Sequence, residues 1–264
     1  MDKSTIWRDQ IEAHCRTFSG DCGLVILDPR SGVLLAHNPH LSFSAASLIK
    51  LPMMVHYGLL VQRGELDPHY RLPLQDEDMV PGSGVLQDLM PGCMLTANDL
   101  VTLMIILSDN TATNMVIDLL GMPPVNATIE MLDLPETRLR RKMYDWEAQD
   151  RGLENTTSAQ DTADLLLAMW QGEQLEPDMR QRLLAIMRRQ HYQNKLPFLT
   201  ADKEQWAHKT GELDDADHDA GFLLLDDDTA VIIALLTRDG RDQQERVQLA
   251  NKVGKLVYEH FVRK

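Results

Sequence analysis

Each end of the chain shows the hydrophobic pattern of short sheet strands next to a helix. The helix comes before the strands at the start of the chain and after them at its end. The apolar runs predict two hairpins, each closed by turn residues: 23–27 with 33–36, and 221–225 with 230–236. An amphipathic pattern predicts one helix near each end of the chain, over 6–18 and 241–262. The strands therefore come from both ends of the chain.

Helical patterns dominate the region between the hairpins, from Ser47 to about Gln190. Strands at both ends with helices between them indicate an α/β fold of the α+β type, with an antiparallel sheet flanked by the terminal helices. We predict a sheet-containing lobe from 1–43 and 204–264, and an all-helical lobe from 44–203. The cleft between the lobes is the expected place for an active site.

Composition and charge exclude several classes of protein. The chain has 264 residues, 44% of them hydrophobic, which is enough for a full core. A net charge of -14 argues against nucleic-acid binding, because phosphates bind clustered Lys and Arg. No apolar run could span a membrane, and no secretory signal is visible, so we expect a cytoplasmic protein, or a periplasmic or extracellular one if an export signal was removed.

The cysteines and other metal-binding residue types indicate no cofactor. Cys15, Cys22 and Cys93 have no metal-ligand spacing, and free thiols are expected. The acidic residues of 214–219 could bind a cation, but a solvated acidic loop is favoured, since no zinc-type spacing accompanies them. No glycine motif of a phosphate site is present. We expect neither a metal nor a cofactor, and a small molecule as the binding partner.

The first motif with candidate chemistry is Ser47-Leu48-Ile49-Lys50, at the start of an apolar helix. Its spacing places the hydroxyl of Ser47 and the ammonium of Lys50 on one helical face. A serine becomes a good nucleophile when a base takes its proton, and a buried lysine with a lowered pKa can be that base. The alternative is a helix N-cap followed by an unrelated lysine.

The second motif, Ser108-Asp109-Asn110, separates two apolar runs and predicts a corner between two helices. Ser108 and Asn110 can both point into a cleft there, while Asp109 turns back to tie the loop. Ser108 would then pass a proton to a leaving group, and Asn110 would hold a substrate amide. The alternative is that the serine and asparagine only cap the second helix.

The third motif, Lys209-Thr210-Gly211, is expected at the end of a strand over 205–208. Strand alternation puts Lys209 and Gly211 on one side, and a glycine lets another backbone approach closely. The alternative is a strand-end turn with an ordinary surface lysine.

Together and in this order, the three motifs resemble the SxxK, SDN and KTG set of the class A β-lactamase and penicillin-binding-protein superfamily. The resemblance includes the segments 81–86, 95–114 and 156–159, and it covers most of the chain from about Gly23 onwards. It implies a β-lactamase/transpeptidase-like fold and an acyl-enzyme reaction. In that reaction Ser47 is acylated, Lys50 accepts its proton and Ser108 shuttles a proton.

The resemblance also implies a set of substrate contacts on the third motif. Lys209 would be an electrostatic anchor, and Thr210 would bind a substrate carboxylate. The oxyanion would be bound by the N–H groups of Ser47 and of Glu212, the residue after Gly211.

One family motif is not matched. Family β-lactamases carry Glu-x-x-Leu-Asn, whose glutamate activates the water that removes the acyl group. An ungapped comparison places Met143 at the glutamate and Glu147 at the asparagine. Glu147 is therefore the candidate base, with an exposed loop glutamate as the alternative, and Asp145 and Glu154 are weaker candidates. The strand 220–225 also lacks the family's auxiliary carboxylate-binding arginine.

These observations leave three functions open. The first is a β-lactamase-like serine hydrolase that acts on β-lactams or related peptide-like amides through an acyl-enzyme. The second is a D-alanyl-peptide peptidase or small-ester hydrolase, and the third is a β-lactam-binding or sensor module without turnover. Because the motifs of acylation are present and the water-activating glutamate is missing, we expect deacylation to be the impaired step.

Overall fold

The computed structural model describes residues 5–172 and 174–262, and its centre is a five-stranded antiparallel sheet with the order β2-β1-β9-β8-β7. The strands are β1 (Asp21–Asp28), β2 (Gly32–His37), β3 (Phe43–Ser44), β4 (Arg71–Pro73), β5 (Met94–Thr96), β6 (Thr156–Thr157), β7 (Trp206–Glu212), β8 (Ala216–Asp226) and β9 (Thr229–Arg238). Both hairpins predicted from the sequence are confirmed. The sheet joins them through β1 and β9, which come from opposite ends of the chain.

The helices of the described residues cover both faces of this sheet. They are α1 (Ile6–Thr17), α2 (Lys50–Gln62), α3 (Ala97–Ile106), α4 (Asn110–Leu120), α5 (Met122–Met131), α6 (Trp146–Asp150), α7 (Ala159–Gln171), α8 (Pro177–Met187) and α9 (Gln243–Phe261). The predicted terminal helices correspond to α1 and α9, which pack against each other. No helix within residues 5–172 and 174–262 combines the length and apolarity that crossing a membrane requires.

Alternation along the strands divides the hydrophobic core into two clusters, one on each face of the sheet. On β1, Leu24 and Ile26 face the terminal helices, where they pack with Ile11 of α1 and Val253 of α9. Val25 and Leu27, on the other face of the strand, join the larger core formed with the middle of the chain. The apolar run of β1 is continuous because both of its faces are buried.

Three sequence-based expectations differ from the structure. The middle region is not all-helical, because the short pairs β3–β6 and β4–β5 lie within it. Strands of two or three residues are too short to show alternation. The third motif does not follow its strand but lies inside it, since β7 runs from Trp206 to Glu212. Within the acidic segment, Asp217, His218 and Asp219 are not solvated but buried in β8, where each has a hydrogen-bonding partner.

Candidate active site

Ser47 lies in one turn of 3₁₀ helix, Ala46–Ile49, that leads directly into α2. The residue before it, Ala46, has a φ of 45°, which is uncommon for a residue with a side chain. Ser47 lines a cleft of about 730 Å³ between the sheet and the helical region. Backbone strain of this kind often occurs at functional sites.

Lys50 is completely buried beneath Ser47, one helical turn further on. Its Nζ donates to the carbonyl oxygen of Ser108 at 2.7 Å, and to Ser108 Oγ and Asn110 Oδ1 at 3.1 Å each. Burial lowers the pKa of Lys50 to about 7, although the nearby Asp109 carboxylate raises it in part. At neutral pH a large fraction of this amine is therefore neutral and can accept a proton.

Ser108 connects Ser47 to two lysines. Its Oγ donates to Ser47 Oγ at 2.8 Å and accepts from Lys209 Nζ at 3.0 Å, in addition to the bond from Lys50. Burial, and then the positive charges of Lys50 and Lys195, lower the pKa of Lys209 well below its usual value. Among the hydrogen bonds of the described residues, the path from Ser47 to either amine passes through the hydroxyl of Ser108.

Asp109 folds back beneath the site and fixes the corner between α3 and α4. One carboxylate oxygen accepts from the N–H groups of Val85 and Leu86 at 2.7 and 2.9 Å, and the other caps α4 at the N–H of Ala112. Gly84, with a φ of 112°, has no room for a side chain, because a Cβ there would lie 2.2 Å from Asp109 Cγ. The corner therefore aims Ser108 and Asn110 at the cleft.

Strand β7 forms one wall of the cleft with the third motif. Lys209 is fully buried and faces Ser108, while Thr210 and Glu212 line the cleft. A Cβ on Gly211 would lie 3.2 Å from Ala46 Cβ. The absence of a side chain at Gly211 therefore lets the segment with the nucleophile lie against the strand.

The model of the β-lactamase enzyme family matches residues 7–261 of the chain. This chain belongs to the β-lactamase enzyme family. A β-lactamase from Sphaerobacter thermophilus has a similar structure, with a TM-score of 0.87, 29% identity and coverage of 100% of this chain and 99% of that one. A variant of PBP-A, solved as an acyl-enzyme complex with penicillin G, has a TM-score of 0.86, 32% identity and coverage of 98% and 97%.

A β-lactamase from Rhodobacter capsulatus is 30% identical over 173 residues, and the matched part is 63% of this chain and 57% of that protein. The matched part thus spans somewhat more than half the length of this relative. Together the comparisons confirm the predicted resemblance, the β-lactamase/transpeptidase-like fold and the β-lactamase-like hydrolase class.

Met143, which the ungapped sequence comparison places at the family's water-activating glutamate, lines the cleft. The backbone of Met143 is held in both directions by Asn114, whose Oδ1 accepts from the Met143 N–H at 2.8 Å and whose Nδ2 donates to its carbonyl at 3.0 Å. The next residue, Tyr144, has a φ of 60°. A thioether at this position cannot accept a proton from water at neutral pH.

The structure does not bring Glu147 to the nucleophile. Glu147 is exposed on the short helix α6, outside the residues that line the cleft. Asp145 caps the same helix at the N–H of Ala148. Glu154 does line the cleft, but both of its oxygens accept from the guanidinium of Arg141, at 2.9 and 3.0 Å. Of the three carboxylates considered from the sequence, only Glu154 faces the cleft.

Lys195 is a cleft residue that the sequence patterns did not single out. Its side chain is buried, and its Nζ lies 2.8 Å from the carbonyl oxygen of Gly211 and 2.8 Å from Asp217 Oδ1. Arg246 of α9 donates to the other oxygen of Asp217 at 2.9 Å. The site therefore has a buried lysine near the end of β7. The family's auxiliary arginine, which is missing here, is expected on the neighbouring strand over 220–225. In the sequence, Lys195 is an isolated lysine after a helical segment, and no motif around it distinguishes it from a surface lysine.

No group of three or more His, Cys, Asp or Glu side chains that could hold a metal ion occurs in the part of the chain that the structure describes. The cleft itself places the hydroxyl of Ser47 next to that of Ser108, which contacts two buried amines. Such an arrangement can deprotonate the hydroxyl for attack on a carbonyl carbon.

Proposed function

We propose that this chain forms an acyl-enzyme at Ser47 with β-lactams or related peptide-like amides and then hydrolyses it. The observation that carries the proposal is the buried hydrogen-bond path from Ser47 Oγ through Ser108 Oγ to Lys50 Nζ. A lysine with a pKa of about 7 at the end of this path is a suitable proton acceptor.

Acylation proceeds in two proton-coupled steps. Ser47 Oγ attacks the amide carbonyl carbon, its proton passes to Ser108 Oγ, and the proton of Ser108 passes to Lys50. The N–H groups of Ser47 and Glu212 stabilise the oxyanion. When the C–N bond breaks, the proton returns from Lys50 through Ser108 to the leaving nitrogen. Ser108 thus serves both directions of transfer, in keeping with the shuttle role that the family resemblance implies for it.

The substrate is a small molecule with an amide and an anionic group. Asn110 would hold the amide, and Thr210 with Lys209 would bind the carboxylate, while the buried Lys195 supplies a further positive charge at this end of the cleft. The acyl-enzyme complex of the PBP-A variant with penicillin G supports a β-lactam as the acylating ligand.

Deacylation is the slower step in this proposal. It needs a base beside the ester, and the position that holds glutamate in β-lactamases of the family holds Met143. Glu154 is paired with Arg141, and Glu147 is exposed outside the cleft. Turnover would then rest on Lys50 or on rearrangement of the Arg141–Glu154 pair, and it would be slow enough for the acyl-enzyme to accumulate.

The test is intact-mass spectrometry after exposure to penicillin G, for the wild type and two serine variants. We expect one acyl adduct per wild-type chain and none on Ser47→Ala. Ser44→Ala is the matched control, because Ser44 lines the same cleft and its hydroxyl has no hydrogen-bond partner within the described residues. Labelling of Ser47→Ala at the wild-type rate would refute the proposal.

The fate of the adduct separates the three functions left open by the sequence. Slow loss of the adduct with release of penicilloate supports the proposed hydrolase. An adduct that persists indefinitely supports a binding or sensor module instead. No adduct with penicillin, together with cleavage of a D-alanyl-D-alanine peptide or a small ester, supports the peptidase or esterase.

A further inference from the structure

His218 lies in β8, directly behind the segment that carries Ser47. Its side chain is fully buried, and its Nε2 lies 2.9 Å from the carbonyl oxygen of Ser44. Its Nδ1 accepts a hydrogen bond from the backbone N–H of Thr237 at 3.2 Å. The imidazole thus joins the residues just before the nucleophile to the strands β8 and β9.

The two bonds define one protonation state of the ring. Because Nδ1 accepts from an N–H group, the proton of the neutral ring lies on Nε2 and is donated to Ser44. Burial lowers the pKa of His218 to about 4, so the ring is neutral at pH 7. A neutral imidazole, with one donor and one acceptor, satisfies both backbone groups.

The bond to Ser44 is made next to a strained part of the backbone. Ala46 has a φ of 45°, and a residue with a side chain keeps such a conformation only where its surroundings hold it. On one side, the N–H of Ala45 donates to the carbonyl of Asn155 at 2.7 Å. On the other side, His218 holds the carbonyl of Ser44. The segment 44–46 is therefore fixed from both directions.

The ring also fills the space between this segment and β7. A Cβ built on Gly211 would lie 3.2 Å from Ala46 Cβ and 3.3 Å from both Cβ and Cδ2 of His218. Glu212, whose N–H is one of the two proposed oxyanion donors, is the next residue of that strand. A shift of His218 would therefore change the distance between the N–H groups of Ser47 and Glu212.

We infer that His218 is a positioning residue for acylation, which holds the segment 44–47 against β7 so that the N–H groups of Ser47 and Glu212 face one oxyanion. The inference rests on the proposed function of the same cleft. Oxyanion donors act on the transition state more than on the bound substrate. Loss of the His218 bonds therefore lowers the acylation rate constant and leaves the initial binding of the β-lactam nearly unchanged.

Two substitutions separate the bonds of the ring from its volume. His218→Phe keeps a ring that can meet Phe43 edge-on, as His218 does at 6.0 Å, but it has neither donor nor acceptor. His218→Gln carries one donor and one acceptor and can rescue both bonds. His56→Phe is the matched control, since His56 is buried on α2, bonds to Thr128 Oγ1 at 2.8 Å and lies outside the residues that line the cleft.

The experiment is stopped-flow acylation by a chromogenic cephalosporin, which gives the rate constant at saturation and the dissociation constant of the initial complex. We expect His218→Phe to lower the rate constant by about 10²-fold, the size of effect that a small misplacement of catalytic groups produces, with little change in the dissociation constant. We expect His218→Gln to recover most of the rate, and His56→Phe to keep the wild-type value.

A wild-type rate in His218→Phe, weaker binding alone, or an equal loss of rate in His56→Phe would each overturn the inference and leave the proposed function standing. Absence of acylation in the wild type would overturn both. If His218→Phe does not fold, His218→Gln is compared with His218→Asn, whose shorter amide cannot reach both backbone groups. Equal rates for these two amides would also overturn the inference.

Discussion

The hydroxyl of Ser108 is the shared partner of Ser47, Lys50 and Lys209, and this sharing defines the chemistry at the residue scale. Ser108 has a φ of 54°, so its backbone is held in an uncommon conformation at the point where its side chain meets all three. A hydroxyl can donate one hydrogen bond and accept two. Here it donates to Ser47 and accepts from both lysines. Transfer of the Ser47 proton to a neutral Lys50 uses the same contacts with the direction of two bonds reversed, so that Ser47 donates to Ser108 and Ser108 donates to Lys50.

Acylation is expected to depend on pH through Lys50. Its pKa is lowered to about 7, so the neutral amine, which is the form that accepts a proton, gains population as pH rises through about 7. The acylation rate constant should rise across this range and level off above it. Stopped-flow measurements of acylation at a series of pH values test this. Lys50→Ala removes the proton acceptor, and its acylation rate constant should fall by about two to four decades. A flat pH profile would contradict the role of Lys50.

Met143→Glu is expected to speed deacylation. Asn114 holds the backbone of Met143 from both sides, so a glutamate would extend from a fixed point on the cleft wall. A positioned general base contributes about two to four decades of rate, and the acyl-enzyme should decay correspondingly faster. Met143→Gln, which has the same length but no basic carboxylate, should keep the slow decay. The lifetime of the mass adduct measures both, and equal lifetimes would contradict the assignment of this position.

Glu147→Gln tests the base that was predicted from the sequence. Glu147 is exposed outside the cleft, and we expect its substitution to change neither acylation nor decay of the adduct. A longer-lived adduct in Glu147→Gln would mean that the loop moves this carboxylate to the ester after acylation.

Motif residues could be predicted from the sequence because their spacing within one turn or strand is itself a signal. Lys195 and His218 could not, since each meets the site only through contacts with distant parts of the chain. His218 reaches Ser44 across 174 positions of sequence. The segment around His218 is rich in Asp and has no zinc-type spacing, so its sequence predicts a solvated loop and gives no sign that His218 is buried.

At the scale of single elements, the corner between α3 and α4 depends on one carboxylate. Asp109 is buried and accepts from three backbone N–H groups, two of them in the loop before α3 and one in the first turn of α4. The sequence predicted both the corner and the return of Asp109 to the loop. Short strands such as β3 and β6 could not be predicted, because two residues show no period.

Asp109→Ala should lower the free energy of unfolding by about 3 kcal/mol, since it leaves buried N–H groups without a partner. Asp145→Ala is the matched control, because Asp145 accepts a single bond, from Ala148 at the start of α6, and losing such a cap costs about 1 kcal/mol. Urea unfolding of both variants measures the difference. Equal losses would show that the loop bonds of Asp109 add little to its role as a cap.

At the scale of the whole molecule, the sheet separates a core of terminal helices from the core that supports the site. Ile11 of α1 is fully buried in the first, on the face of the sheet away from Ser47 and Ser108. The hydrophobic pattern predicted strands from both ends and helices on the sheet. The order of the strands is not contained in that pattern, because every strand of a buried sheet is similarly apolar.

Ile11→Ala is expected to reduce stability without reducing acylation. Truncation of a buried isoleucine costs about 2–5 kcal/mol, and the cavity it leaves lies across the sheet from the cleft. Urea unfolding and the acylation rate, measured at a temperature where the variant is folded, test the two parts. A fall in acylation by an order of magnitude would show that the two cores are mechanically coupled.

The pairing of β1 with β9 has a consequence for how the protein is made. The ribosome releases β1 and β2 early, but the neighbour that completes β1 comes about two hundred residues later. Until β9 emerges, the apolar β1 is left with an open edge of unpaired N–H and C=O groups, the kind of surface on which nascent chains aggregate. Ser47 and Lys50 are synthesised long before Lys209, so the nascent chain carries its nucleophile for most of its synthesis without the strand that completes the site.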